Sequence, residues 1–244
     1  MPRRSYLCAM CEITLKVTCP HCQGTKVIKN GHKKDGTQNF LCKDCRKQFQ
    51  SVYKNNGANP ITQQRIVSML LRNSGIRDIE TVLKVSRRCV LNRLLLEAKK
   101  CELAPKLQHY KSVQIDELWS YVHQRKKKKR WLIYAYAPET DEVLGFVIGR
   151  RDIKTVKKLY KMLENLEIDE YCTDDWATFA HVFRDKNHSI GKHLTRAIEG
   201  VNTSLRARNR RFVRKTTCFS KKDQYHEAAI KILFQQRNYA YHTF

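Results

Sequence analysis

No apolar run in the 244-residue sequence approaches the ~20 residues that a membrane helix requires, so no segment reads as membrane-spanning. The N-terminus, Met1-Pro2-Arg3-Arg4 and then Cys8 to Cys11, has no apolar core of the kind a secretory signal carries. Without such a signal, ten cysteines are not expected to form a secreted disulfide framework. The expectation is a protein of the cytoplasm. No internal repeat is visible, and no low-complexity tract beyond one lysine run. Acidic residues are scarce: 23 Asp and Glu stand against 48 Lys and Arg, a net charge of +25. That excess is far more than solubility needs. It points to a polyanionic partner, with nucleic acid well ahead of an anionic membrane surface. Hydrophobic residues make up 41% of the chain, enough for a packed core rather than a disordered tail.

Six of the ten cysteines lie in CxxC pairs near the N-terminus. Cys19-Pro-His-Cys22 and Cys42-Lys-Asp-Cys45 are separated by nineteen residues, a spacing that lets four thiolates converge on one tetrahedral Zn²⁺. The residues between them, Lys26–Gly31 and Thr37–Leu41, read as a hairpin turning at 33–36. This is a zinc-ribbon layout over 15–53. It is too short to bury its own core, so the metal is expected to supply most of its stability. Cys8 and Cys11 form a third pair with no further ligands at suitable spacing, and are read as incidental.

Residues 54–60 are a linker by composition. Helical periodicity follows at Ile61, Ile66, Met69 and Leu70, then at Ile76, Ile79, Val82 and Leu83. Ser86 is placed to cap a third helix, Arg87–Lys100, with Val90, Leu91, Leu94 and Leu95 inward. This order predicts a helical helix-turn-helix domain over 60–100. Its last helix offers Arg87, Arg88, Asn92 and Arg93 to the DNA major groove. A plain three-helix bundle with a basic face is the plainer reading. Residues 101–111 read as a second linker.

From 112 to 244 the pattern changes. Strands are expected at Val113–Val122, Trp131–Ala137 and Val143–Ile148, a helix at about Lys154–Asn165, and a strand at Ile168–Thr173. Short elements follow at Trp176–Phe183 and His188–Ile190, then helices at Thr195–Asn209 and Gln224–Tyr239. The turn at 125–130 is entirely basic and includes Lys126, Lys127 and Lys128. Between Arg206 and Lys222 there are eight basic residues and no acidic one, among them Arg206, Arg210 and Arg211. Such a block is either a phosphate-binding surface or a self-repelling segment.

The first of these strands carries two carboxylates, Asp116 and Glu117, in an otherwise apolar and aromatic run. Buried carboxylates are costly unless paired or bound to metal. The element order suits a ribonuclease-H-like mixed-sheet domain, in which the first and fourth strands lie side by side. Asp116 and Asp174 would then meet. Glu199, with Asn202 sharing an adjacent helix face at i,i+3, could close the third side. Clustered carboxylates are hard ligands suited to Mg²⁺ or Mn²⁺, which would offset their repulsion and support in-line displacement at phosphorus. Strand alternation does not decide between Asp116 and Glu117. Asp175 could replace Asp174, either could cap the next helix, and Glu199 could instead pair with Arg196.

The chain resembles the transposases of the bacterial insertion sequence 1 family. The resemblance is carried by Cys19/Cys22/Cys42/Cys45 with Arg46-Lys47, the helices of 61–98, Asp116-Glu117-Leu118-Trp119-Ser120-Tyr121-Val122, Arg130–Tyr136, Thr173-Asp174, and Ile198-Glu199 with Asn202. It implies a multidomain α/β protein: zinc ribbon, helix-turn-helix and ribonuclease-H-like catalytic domain. It implies the acid triad Asp116, Asp174 and Glu199 with Asn202 in support, structural Zn²⁺ and catalytic Mg²⁺ or Mn²⁺. The implied activity is cleavage and strand transfer at the terminal inverted repeats of its own element, into target DNA, by a homo-oligomer on paired ends at the bacterial nucleoid. Gly200 departs from the pattern, because a basic residue is expected there. Competing expectations are a catalytically inactive DNA-binding repressor and a structure-specific nuclease of the same fold.

Overall fold

The computed structural model describes residues 16–122, 129–213 and 218–240. The chain divides into two compact units at Gln64/Arg65. In the first, β1 (Val27–His32), β2 (Gln38–Cys42) and β3 (Gln48–Gln50) form a three-stranded antiparallel sheet. The expected hairpin is β1–β2. Its turn closes with Gly36 N–H donating to the Lys33 carbonyl, and Gly36 takes φ +82°, a conformation that favours glycine. The third strand has no counterpart in the sequence reading. It brings Phe49 onto Phe40, with ring centroids 5.5 Å apart, which is most of this unit's apolar core.

The second unit begins inside helix α1 (Pro60–Leu71) and continues through α2 (Ile76–Leu83) and α3 (Arg87–Lys100). Lys84, at φ 50°, turns the chain between α2 and α3, and Ser86 Oγ accepts the Cys89 N–H to cap α3. Ile66, Leu70, Ile79, Val90 and Leu94 are buried together. Two positions expected inward are not. Ile61, in the first turn of α1, is 46% exposed, and Val82 is 65% exposed. A helix of only eight residues buries one stripe, and the ~100° step per residue turns Val82 away from Ile79 and Leu83. These helices do not close a core alone. Ala228, Ala229 and Ile232 of the last helix, α7 (Asp223–Ala240), complete it.

The remaining sheet has five strands in the order β10-β9-β5-β6-β7: His188–Ile190, Tyr171–Thr173, Val113–Tyr121, Lys129–Ala137 and Glu142–Gly149. The pairs β5–β6 and β6–β7 are antiparallel, while β5–β9 and β9–β10 are parallel. Both faces are covered, which explains the near-continuous apolar reading of β6. Ile115, Ile133, Ala135 and Ala137 pack with α4 (Ile153–Leu163) and α5 (Ala177–Val182). Leu118, Leu132, Tyr134 and Tyr136 pack on the other side with α6 (Arg196–Arg208) and α7.

The single strand expected at Ile168–Thr173 is two. Glu167–Ile168 (β8) pairs in parallel with His109–Tyr110 (β4), and β9 begins only at Tyr171. The break at Asp169-Glu170 lets the chain leave one sheet for the other. The end of the 101–111 stretch is therefore sheet, with Tyr110 fully buried. Among the described residues, no helix is long and apolar enough to cross a membrane.

Candidate metal centres and catalytic site

The four ribbon cysteines converge, with all their sulfurs within 4.8 Å of one another. Cys19–Cys45 and Cys22–Cys42 are each separated by 3.6 Å between sulfurs. A zinc ion bonded tetrahedrally at ~2.3 Å spaces its sulfurs about 3.8 Å apart, so the cage fits that metal. Each CxxC is followed by a left-handed residue, Gln23 at φ 61° and Arg46 at φ 56°, which folds the chain back over its thiols. Burial by itself would raise the Cys19 thiol. The N–H groups of His21 and Cys22 and the neighbouring thiols instead bring it down to about 7. Cys22 goes the other way, up to about 12, the Gly24 N–H being outweighed there by the thiols of Cys45, Cys42 and Cys19 and by burial. Cys8 and Cys11 lie outside the described residues.

The second centre forms where β5 meets β9. Ile115 is in register with Thr173, so Asp174, one residue beyond β9, arrives beside Asp116. Oxygens of Asp116, Glu117 and Asp174 lie within 4.8 Å of one another. Burial is the main cause that raises the Asp116 carboxyl, to about 7, with the charges of Glu117, Asp174 and Glu199 adding to it and the Glu117 N–H opposing it. Burial likewise raises Glu117, against the pull of Arg151. Asp116 Oδ1 accepts the Glu117 N–H at 2.7 Å, and Oδ2 accepts Nδ2 of Asn202 at 2.6 Å. Asn202 is itself buried, and the Tyr134 hydroxyl donates to its Oδ1 at 2.9 Å, which fixes the orientation of the amide.

Gln114 Oε1 accepts the Ile198 N–H at 2.8 Å and so docks the start of α6 on β5. Glu199 follows in the first turn of α6. It is solvent-exposed, outside the close group of three acids but near enough for its charge to act on Asp116. Asp175 is exposed and outside that group as well.

A second buried carboxylate shows what a purely structural acid looks like in this protein. Glu142 is fully buried, and it accepts from the Tyr110 hydroxyl (2.8 Å), the Thr140 hydroxyl (2.7 Å) and the Lys106 N–H. Glu117 differs: Oε1 binds Arg151, while Oε2 is buried without a partner. Buried charge with unspent acceptor capacity, facing two further carboxylates, is the electrostatic signature of a cation site.

A family model described as IS1 transposase matches residues 111–240, more than half of the chain. This chain belongs to the IS1 transposase family. A second model, described as the InsA N-terminal domain zinc ribbon, matches residues 13–46. Relatives include the insertion element iso-IS1n protein InsB of Shigella dysenteriae, 37% identical over 117 residues, which are 48% of this chain and 88% of that protein. The IS1 protein InsB of Shigella flexneri is 35% identical over the same shares of the two chains. The IS1 4 protein InsB of Escherichia coli K12 is 34% identical over 48% of this chain and 70% of that one. A simian T-cell lymphotropic virus intasome structure overlaps 58% of this chain at 14% identity and a TM-score of 0.33, too distant a likeness to carry an argument.

Membership of the IS1 family makes this a DDE-class transposase with DNA as its partner, and the match at 13–46 makes its first unit a zinc ribbon. The residues expected to hold that DNA fall into distinct environments. Arg88 is exposed on α3. Arg87 is paired with Glu80 at 3.0 Å, and Arg93 with Glu97 at 2.7 Å. Asn92 lines a cleft beside α7 with Lys99 and Lys231. Arg206 and Arg210 are exposed, whereas Arg211 is drawn inward, its Nε donating to Ser220 Oγ at 3.3 Å. Lys126, Lys127 and Lys128 lie outside the described residues.

The role of Glu117 within the acid group was only half-visible in the sequence, as an alternative to Asp116. Arg151 was not visible there at all. It lies just past β7, 34 residues beyond Glu117, and no local pattern links the two.

Proposed function

We propose that this IS1-family protein binds the terminal inverted repeats of its element and cuts and joins them to target DNA through a ribonuclease-H-like domain. The single observation that carries this is the convergence of Asp116 and Asp174 from adjacent parallel strands around unspent buried acceptor capacity. In this reading Asp116, Asp174 and Glu199 hold Mg²⁺ or Mn²⁺. When bound, such ions would activate the attacking oxygen and stabilise the leaving oxygen of an in-line displacement at phosphorus.

The protein's own groups do the positioning. Tyr134 holds Asn202, and Asn202 holds one oxygen of Asp116, so that carboxylate meets its ligand in one orientation. Gln114 anchors the first turn of α6, and with it Glu199. Arg206 and Arg210, exposed on and just beyond α6, contact the DNA backbone. The ribbon and the α2–turn–α3 unit recognise the ends as a zinc ribbon and a helix-turn-helix, with zinc structural in the former. Residues 15–53, 60–100 and 112–244 then act as end-binding and catalytic domains joined by 101–111. Two ends must be brought together, so the working form is a homo-oligomer, at the bacterial nucleoid.

The full chain, incubated with end DNA, Mg²⁺ and a target plasmid, should yield joined products. Glu199→Gln should reduce joining by at least roughly a hundredfold while leaving end binding intact. Joining by Glu199→Gln at the wild-type rate would remove Glu199 from the triad. Binding without joining by the wild type would favour a repressor, and cleavage of branched DNA without joining a nuclease. In the recognition helix, Arg88→Ala should weaken end binding and reduce the salt slope by about one unit. A titration across salt concentrations in which neither changes would take that residue off the DNA.

A further inference from the structure

Arg151 has no role in the chemistry above, yet three groups hold it in place. Its guanidinium lies over the Trp176 ring at 4.3 Å and the Trp131 ring at 5.3 Å. Its Nε and Nη2 both donate to Glu117 Oε1, at 2.8 and 2.6 Å. The side chain is nevertheless 40% exposed, while that of Glu117 is only 7% exposed. One edge of the fork is therefore fixed against buried partners, and the other faces solvent. Trp176 is two residues past Asp174, and Glu117 is next to Asp116, so the cation stands at the rim of the acid site.

Neutralising Glu117 alone does not account for this arrangement. A structural acid in this protein has a donor at each oxygen, as Glu142 shows, whereas Glu117 keeps one buried oxygen unpartnered and belongs to the close group with Asp116 and Asp174. One oxygen of Glu117 thus holds Arg151, and the other is left buried without a donor. A guanidinium on an indole face is weakly hydrated and has little freedom left to lose, which suits it to a planar, charge-assisted contact with a phosphate.

We propose that Arg151 is a phosphodiester-binding residue of the acid site, positioned by Glu117, Trp131 and Trp176 so that its open edge receives a DNA backbone phosphate there. The inference rests on the transposase reading of that site and names one of its substrate contacts. Glu117 is a positioning residue in this scheme, because it acts through Arg151.

The test pairs protein variants with end DNA in which single phosphates near the joined end are replaced by uncharged methylphosphonate. Wild type, Arg151→Ala, Arg151→Lys and Glu117→Gln are each assayed for Mg²⁺-dependent joining on every DNA. In the wild type, one methylphosphonate position should cost roughly tenfold, the value of one charge-assisted contact. Arg151→Ala should cost about the same on unmodified DNA and lose further sensitivity at that position alone. Arg151→Lys keeps the charge but not the fork, and should retain part of the coupling at the same phosphate. It also decides the matter if the alanine variant fails to fold. Glu117→Gln should weaken the coupling without moving it to another phosphate, an effect that a general loss of packing would not produce. Penalties that simply multiply at every position would overturn the assignment of Arg151 while leaving the transposase reading intact. A wild-type protein that joins no ends on any DNA would instead remove that reading, and this inference with it.

Discussion

Asp116→Asn is expected to abolish Mg²⁺-dependent end joining, by roughly a thousandfold or more, and at the same time to make the metal-free protein more heat-stable at pH 8. The two effects share a cause. Burial first, and then the charges of Glu117, Asp174 and Glu199, lift the Asp116 carboxyl from an ordinary value of 3.8 to about 7. Folding therefore favours its protonated form. For a raised folded-state value, the associated stability is complete below the unfolded value near 4 and is lost as pH rises through 7. Three pKa units set an upper bound of about 4 kcal/mol on that loss.

Metal-free wild type should accordingly melt at a lower temperature at pH 8 than at pH 5, and the asparagine variant, neutral throughout, should show a flatter profile. Adding Mg²⁺ at pH 8 should raise the melting temperature of the wild type and leave the variant nearly unchanged. Scanning calorimetry in chelator and in Mg²⁺, at both pH values, checks all of this. A variant that melts below wild type at pH 8 in chelator and still joins ends would show that Asp116 is neither strained nor a metal ligand. In the proposed reading the arrangement trades stability for function: clustered, half-buried carboxylates are tolerated where a cation would compensate them.

Cys42→Ser should cost the first unit its fold while sparing the second. Its apolar core is little more than Phe40, Phe49 and Val27 around the cysteines, far too little to offset the ordering of its strands. Structural zinc contributes on the order of 10 kcal/mol or more in such small units, and Cys42 is a fully buried corner of the cage. The variant should bind no zinc at stoichiometric level and lose the chemical-shift dispersion of residues 16–53. It should retain the cooperative melting of the sheet unit, whose clusters contain none of these residues. End binding should fall with it. A serine variant that keeps one zinc per chain and a folded ribbon would exclude Cys42 as a ligand.

Much of the secondary structure could be read along the chain because local rules governed it. The zinc ribbon follows from two CxxC pairs, the start of α3 from Ser86, and β5 to β7 from runs of β-branched and aromatic residues. The adjacency of β5 and β9 was legible as well, since the element order suited it. Readings that relied on one residue's side of a helix were weaker, as Val82 and Ile61 show. The strand broken at Asp169-Glu170 was read as continuous, because nothing local signals that a chain is changing sheets.

Within the acid site, the sequence by itself supplied the ingredients: an acidic pair in an apolar strand, an acid just past a later strand, and a helix bearing Glu199 and Asn202. It could not rank Asp116 against Glu117, because alternation places neighbours on opposite faces and predicts only one at the site. Tertiary structure decided otherwise. Both carboxylates reach the end of β9, Asp116 held from one side by Asn202 and Glu117 from the other by Arg151. It also separated Glu142, fully buried with a donor at each oxygen, from Glu117, which keeps an unspent oxygen. That distinction depends on donors such as Tyr110, Lys106 and Arg151, which arrive from 32 to 36 residues away, and chain-local chemistry carries no record of them. The sequence determined which groups were available for catalysis, and long-range packing determined which of them were left unsatisfied.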